Sequence, residues 1–200
     1  MPKKNASVII SCRTDKFKRI TVPEDPNIIG GTMRDNFLPK LYVDNINEIT
    51  ADFLKSNGIR GLILDIDNTL VPNHVADADE NAVRWIESMK TSGLKLCIVS
   101  NGARKRVVRF NERLMLYAIH RAMKPARKSF LKAAGLLGLQ NRQIAVVGDQ
   151  IFTDIYGGNR AGMFTILVKP IDTREGRLVR FKRIFEKPIL KKYNAKAKIK

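Results

Sequence analysis

Gly61-Leu62-Ile63-Leu64-Asp65-Ile66-Asp67-Asn68-Thr69-Leu70 is the stretch on which the reading of this 200-residue chain turns. Its first four residues form an apolar run of strand length, and the run ends in two carboxylates two positions apart. A buried strand of this kind delivers both acids to the carboxyl edge of a sheet, where open α/β folds bind ligands. Phosphoryl transfer has a use for such a pair. One carboxylate attacks phosphorus, the other handles the proton of the leaving group, and Mg²⁺ offsets the gathered negative charge. Asp-x-Asp alone fits a strand-end Asx turn with solvated acids equally well, so the remaining sequence must decide.

Three later segments do so. Leu94-Lys95-Leu96-Cys97-Ile98-Val99 is a second strand-like run, ending in Ser100-Asn101-Gly102, where a hydroxyl and backbone N–H groups can cradle phosphate. Lys124-Pro125 precedes a helical pattern through Ala126, Phe130, Leu131 and Ala134, with Pro125 suited to the first helical position. Ile144-Ala145-Val146-Val147 runs into Gly148-Asp149-Gln150-Ile151-Phe152-Thr153-Asp154, a strand end with two more acids. Each residue has an ordinary reading on its own: Ser100 as a helix cap, Lys124 as a surface lysine, Asp149 as a turn acid, Asp154 as a first-turn helix acid. Four such junctions in this order argue for a site. The strands are expected at Leu62 to Asp65, Leu94 to Val99, Ala118 to Met123, Ile144 to Gly148 and Phe164 to Val168, in a doubly wound α/β fold with a mostly parallel sheet.

The order Asp65-x-Asp67-x-Thr69, Ser100, Lys124, Gly148-Asp149-x4-Asp154 resembles the four motifs of haloacid dehalogenase superfamily phosphatases, subfamily IIIA. Within that superfamily the chain resembles the phosphatidylglycerophosphate phosphatase family. The wording that carries this is Leu38-Pro39-Lys40-Leu41-Tyr42-Val43, Asp67-Asn68-Thr69-Leu70-Val71-Pro72, and Gly148 to Ile155 followed by Gly158-Asn159-Arg160. The resemblance implies that Asp65 is the nucleophile and a Mg²⁺ ligand. It implies that Asp67 is the general acid and base and binds the metal through its backbone carbonyl. Thr69 would orient Asp67 or the phosphoryl group, Ser100 and Asn101 would hold phosphate oxygens, and Lys124 would neutralise the nucleophile and the transferring group. Asp149 would complete the metal shell and Asp154 would support it, directly or through water. Such a division suits a reaction in which positioning and charge neutralisation do most of the work.

Spacing speaks to the substrate. The 35 positions from Asp65 to Ser100 hold a turn at Val71 to His74, a helix through Ala82, Val83, Trp85, Ile86 and Met89, and a strand. The 24 from Ser100 to Lys124 hold one helix and one strand, leaving no room for a cap domain. By resemblance, capless members act on large or surface-bound substrates, so an open cleft is expected.

Charge is concentrated in two places. Residues 102–132 carry Arg104, Lys105, Arg106, Arg109, Arg113, Arg121, Lys124, Arg127, Lys128 and Lys132 against Glu112 alone. Residues 169–200 carry twelve Lys and Arg against Asp172, Glu175 and Glu186. Together these account for the whole net charge of +18. The first cluster should ring the active-site mouth and attract a polyanion, either an anionic bilayer or nucleic acid. The second reads as a basic amphipathic helix, with Leu178, Phe181, Ile184 and Phe185 among Arg177, Arg180, Lys182 and Arg183, ended or kinked at Pro188. Its apolar stripe suits a membrane surface or packing on the sheet. No helix-turn-helix, zinc or RNA-recognition signature is visible, and aromatics are not interleaved as in a strand-binding platform.

The expected organisation is a basic N-terminal extension over 1–36, a phosphatase domain over 37–171 and a basic amphipathic tail over 172–200. No apolar stretch has transmembrane length and no secretory core lies near Met1. Lys3, Lys4, Arg13, Lys16, Lys18 and Arg19 read as a flexible basic arm, with a transit peptide as the alternative. Cys12 and Cys97 are too few for a disulfide framework and point to a reducing compartment. The leading expectation is a Mg²⁺-dependent phosphatase working through an aspartyl-phosphate, cytoplasmic and peripherally membrane-associated with organellar targeting left open; the resemblance implies phosphatidylglycerophosphate as the substrate, converted to phosphatidylglycerol at a membrane surface. The alternatives are a capless phosphatase for a nucleic-acid end or a phosphoprotein, and a basic RNA- or ribosome-binding protein with a vestigial site.

Overall fold

The computed structural model describes residues 35–172, 174, 176, 181 and 183–191. Leu178, Arg177, Arg180, Lys182, Cys12 and the basic arm lie outside the described residues. Six strands, β1 (Leu41–Val43), β2 (Gly61–Leu64), β3 (Lys95–Val99), β4 (Tyr117–Ile119), β5 (Ile144–Gly148) and β6 (Phe164–Val168), make one sheet in the order β1-β6-β5-β2-β3-β4. Every pairing is parallel. The helices are α1 (Ala51–Ser56), α2 (Glu80–Thr91), α3 (Arg104–Asn111), α4 (Arg127–Leu137) and α5 (Tyr156–Arg160).

The continuous apolar strands follow from burial on both faces. Leu62 and Leu64 of β2 point into a core shared with Leu96, Ile98, Ala145 and Val147, covered by Leu54 of α1, Trp85, Ile86 and Met89 of α2, and Val107 and Phe110 of α3. Ile63 points the other way, with Cys97, Val99 and Val146, against Phe130, Ala133, Ala134 and Leu137 of α4. Helix α2 shows why the periodicity was readable: Ala82, Trp85, Ile86 and Met89 are its buried stripe, and Asp79 caps it by accepting the Ala82 N–H at 2.8 Å.

The chain steps outward from β2 to β3 and β4, then returns to place β5 on the opposite side of β2. That reversal opens a crevice at the carboxyl ends of β2 and β5, where such sheets receive ligands. Asp65 and Asp149 each directly follow one of those strands.

Four local expectations change. β1 adds a strand that three residues were too few to signal; it exists through its pairing with β6, Leu41 opposite Ile166. β4 stops at Ile119 instead of reaching Met123, because Arg121 and Met123 adopt left-handed φ of 46° and 55°. The chain there bonds to the end of β3 instead, Ala122 N–H to Ser100 O at 3.0 Å and Arg121 N–H to Gly102 O at 2.9 Å. Pro125 precedes the helix rather than opening it, since Ala126 is the cap and α4 starts at Arg127; the Lys124-Pro125 peptide is cis. At the C-terminus, the helix continues over 183–191 through Pro188. Contacts outside the helix hold it there: Ile189 and Leu190 pack against a small cluster of Ile151, Ile155 and Leu167.

Among the described residues no helix is long and apolar enough to cross a membrane. No domain is inserted between β2 and β3 or between β3 and α4.

Candidate active site

Backbone pairing brings Asp65 to the sheet edge: its N–H donates to Val147 O at 3.0 Å, continuing the β2–β5 ladder one residue past the strand. After β5 the chain makes a wide π-helical turn, Ile151–Ile155, which swings Asp154 back over the strand end. Gly148 makes this possible, because a β-carbon there would collide with the Asp154 carboxylate group. Asp154 is further fixed through Oδ2, which accepts from Gln150 N–H and Thr153 Oγ1, each at 3.2 Å. Asp65, Asp149 and Asp154 are all buried, and one ligand oxygen from each lies within 4.8 Å of the others.

Lys124 bridges the group. Its Nζ donates to Asp65 Oδ1 at 2.7 Å and to Asp154 Oδ1 at 2.6 Å, with the side chain 3% exposed. Asn101 aims it: Asn101 Oδ1 accepts the Lys124 backbone N–H at 2.7 Å, and its Nδ2 donates to Lys124 O at 3.3 Å. The Asn101 side chain is therefore committed to Lys124. Ser100 Oγ accepts the Gly102 N–H at 3.0 Å, which leaves its own hydroxyl hydrogen to donate elsewhere.

Asp67 stands apart from the cluster. Its side chain is 32% exposed, and Arg106 of α3 grips Oδ1 through Nε at 3.1 Å and Nη2 at 2.9 Å. A third bond, Arg106 Nη1 to Ala76 O at 2.7 Å, anchors the guanidinium. Asn68 turns the chain between the two acids and Thr69 with a left-handed φ of 61°, a conformation asparagine tolerates. Thr69 differs from its expected use. It donates to Asp149 Oδ1 at 3.3 Å and so orients a carboxylate on β5.

Two residues here belong to regions read only as charge in the sequence. Arg106 was one of ten cations in a cluster expected to ring the mouth, yet three of that cluster are spent on acids beyond β2: Arg106 on Asp67, Arg109 on Asp77 and Arg113 on Glu80. Arg183, assigned to the polar face of the tail, reaches the catalytic crevice. Its Nη2 pairs with Asp149 Oδ2, and its Nη1 donates to Asp149 O at 2.6 Å and Glu186 Oε2 at 2.8 Å. Glu186, 3% exposed, accepts the Ile151 N–H at 2.8 Å. The only hint in the sequence is an acid three residues after Arg183 in an otherwise basic helix. A cleft expected to be open is thus flanked on the Asp149 side by the C-terminal helix.

Burial dominates the electrostatics. It pushes the Asp65 carboxyl up to about 7, opposed by Lys124 and reinforced by Asp154 and Asp67. It also raises Asp149 well above the usual carboxylate range, with Asp65 adding to the rise and Arg183 opposing it. Burial works against the charge on Lys124, but Asp154 and Asp65 outweigh it and raise the ammonium above its ordinary value. When all are ionised, three aspartates and Glu186 outnumber Lys124 and Arg183 by two charges, and the raised carboxyls show how strongly the group lacks a cation. An all-oxygen donor set with that excess suits a hard divalent cation. The group can hold a divalent metal ion through Asp65, Asp149 and Asp154.

Comparison with known proteins agrees with this chemistry. The family model described as "Mitochondrial PGP phosphatase" matches residues 32–172. The chain is 41% identical over 163 residues to "Probable phosphatase YqeG" of Bacillus subtilis, covering 82% of this chain and 95% of that protein. It is 28% identical over 171 residues to "Phosphatidylglycerophosphate phosphatase 1, chloroplastic/mitochondrial" of Arabidopsis thaliana, covering 80% of this chain and 49% of the relative. Against "Phosphatidylglycerophosphate phosphatase 1, chloroplastic" of Chlamydomonas reinhardtii the identity is 27%, over 68% of this chain and 54% of the relative. The chain spans about half the length of those two relatives. With this match over most of its length, a wholly parallel sheet and an acid cluster at the strand ends, the chain belongs to the phosphatase family described as mitochondrial PGP phosphatases.

Proposed function

We propose that this protein is a Mg²⁺-dependent phosphomonoesterase that converts phosphatidylglycerophosphate to phosphatidylglycerol at a membrane surface, with residues 37–171 as the catalytic unit. The observation that carries the reading is the division of labour between two acids two residues apart. Asp65 is buried and held by Lys124; Asp67 is partly exposed and held by Arg106.

In this reading Asp65 attacks phosphorus through the oxygen that Lys124 leaves free. The P–O bond to glycerol breaks as an aspartyl-phosphate forms, and Asp67, in its protonated form, gives its proton to the departing alkoxide oxygen. Asp67, now a carboxylate, takes a proton from water as that water attacks the phosphorus of the acyl phosphate. Inorganic phosphate leaves and Asp65 is restored. The Ser100 hydroxyl donates to a phosphoryl oxygen, Lys124 offsets its charge, and Asn101 serves by fixing Lys124. Thr69 and Arg183 hold Asp149 in place on its two carboxylate oxygens. Mg²⁺, held by Asp65, Asp149 and Asp154, with the Asp67 carbonyl suggested by resemblance, would supply positive charge beside the phosphoryl group.

The substrate assignment is supported by the two relatives named for it and by the lack of an inserted cap among the described residues. A cationic surface favours the same class of substrate. The test is phosphate release with Mg²⁺ from phosphatidylglycerophosphate in vesicles, sugar phosphates, nucleotides and phosphopeptides. The lipid should have the highest kcat/KM. A higher value for a soluble metabolite or a phosphopeptide overturns the assignment.

A further inference from the structure

The C-terminal helix has two unlike faces. The inner one is occupied: Glu186 is buried, and Ile189 and Leu190 pack against Ile151, Ile155 and Leu167. The outer one carries Phe181, Ile184 and Phe185 at 60%, 59% and 52% exposure. These fall at i, i+3 and i+4, so they share a face. The rings of Phe181 and Phe185 meet edge to face, centroids 5.1 Å apart. Three large apolar side chains held outward, beside a helix face that does pack, form a surface in want of cover.

Charge identifies what covers it. From residue 176 to the end the sequence holds ten Lys and Arg and one acid, Glu186, which is buried in its pair with Arg183. Lys187 and Lys191 are exposed on the helix itself. A small apolar stripe on a helix with Lys187 and Lys191 exposed, in a stretch of sequence so rich in cations, matches an anionic bilayer, which takes the stripe between its headgroups and cations at its phosphates. An apolar protein groove would not use the charge of Lys187 and Lys191. Position agrees: Arg183 and Glu186 fasten this helix to Asp149 and Ile151 at the crevice. Met123, immediately before Lys124 in the chain, is 78% exposed.

We propose that Phe181, Ile184 and Phe185 form a docking face for an anionic phospholipid bilayer, fastened through Arg183 and Glu186 so that docking sets the active-site mouth against the lipid. The proposal rests on the lipid-phosphatase reading above, and its test is built to separate the two.

Co-sedimentation is measured with vesicles of phosphatidylglycerol and phosphatidylcholine, which contain no phosphomonoester. The protein should pellet with anionic vesicles, more weakly as salt rises, and the F181S/I184S/F185S variant should bind at least tenfold more weakly. Hydrolysis of soluble p-nitrophenyl phosphate by the variant should be unchanged, which controls for folding. Undiminished vesicle binding by the variant overturns the proposal, as does equal binding to pure phosphatidylcholine. A wild-type dimer that the variant converts to monomer assigns the face to a second copy instead and also overturns it. Docking without hydrolysis of phosphatidylglycerophosphate rejects the substrate and keeps the docking face; hydrolysis without docking does the reverse.

Discussion

Ion pairs on the two sides of β2 are made of the same side-chain types and differ in everything else. At the crevice, Lys124 lies between Asp65 and Asp154 with all three side chains at most 8% exposed. Along α3, Arg109 pairs with Asp77 and Arg113 with Glu80 where every member is more than half exposed. Exposed pairs contribute roughly 0–1 kcal/mol, because water screens them and side-chain entropy opposes them. Buried ones carry a desolvation cost that their attraction only partly returns, so they are poor devices for stability. Their presence at the crevice marks a place where charge is kept for use. Between the extremes stands Arg106 with Asp67, at 19% and 32% exposure, enough burial to fix a geometry and enough access to meet a substrate.

Breaking each kind of pair tests the contrast. The largest effect is expected from Asp65→Asn, which keeps shape and removes the attacking charge. Phosphate release should fall to background with far-ultraviolet circular dichroism unchanged, and beryllofluoride, a mimic of the acyl phosphate, should no longer bind with Mg²⁺. Substantial activity in this variant removes Asp65 from the mechanism.

Next is Lys124→Ala. Leaving two buried carboxylates without their cation should cost about 3–5 kcal/mol in urea denaturation of metal-free protein. A cost below about 1 kcal/mol would place this pair with the surface ones.

Arg106→Ala releases Asp67 without emptying the core. A positioned acid-base contributes roughly 10²–10⁴-fold, so kcat should drop by up to about 100-fold with stability nearly unchanged. A purely structural Arg106 would lower stability and leave kcat and its pH profile intact.

The pH dependence follows from burial. Asp65 is pushed up to about 7 in the folded metal-free protein, against about 3.9 in an unfolded chain. Above pH 8 both states are ionised and the folded state bears the full penalty of buried charge. As pH falls to 6 the folded state takes up a proton that the unfolded chain does not, so stability should rise, by a few degrees in Tm. Mg²⁺ should accordingly raise Tm more at pH 8 than at pH 6. A metal-free Tm that falls between pH 8 and 6 contradicts the burial argument.

The smallest change is expected from Arg109→Ala, which should leave the urea denaturation midpoint nearly where it was and phosphate release unaffected. A larger loss would mean that the α3 pairs act as a network.

Much of this molecule was legible because it is local. β2 and β5 read as apolar runs and β6 as one interrupted only by Thr165, since a parallel sheet covered on both faces demands them. The acids at the ends of β2 and β5 could be placed because a strand has a defined last residue, and the stripe of α2 because a helix has a fixed period. β1 was not legible: three residues have no period, and only pairing with β6 makes them a strand. Nor was the end of β4, set by bonds from Arg121 and Ala122 to the loop after β3.

By itself, then, the sequence determined the sheet class, the order of the functional segments and the identity of the acids that meet at the crevice, all carried by short-range pattern and by the edge to which each strand delivers its end. Only the tertiary structure decided which cation serves which acid. Lys124 could have been a surface lysine, Arg106 and Arg183 were anonymous members of charge clusters, and Thr69 turned to Asp149 across 80 residues. Partner choice among like charges depends on three-dimensional distance and on loss of water, and neither is written in the spacing of residues along the chain.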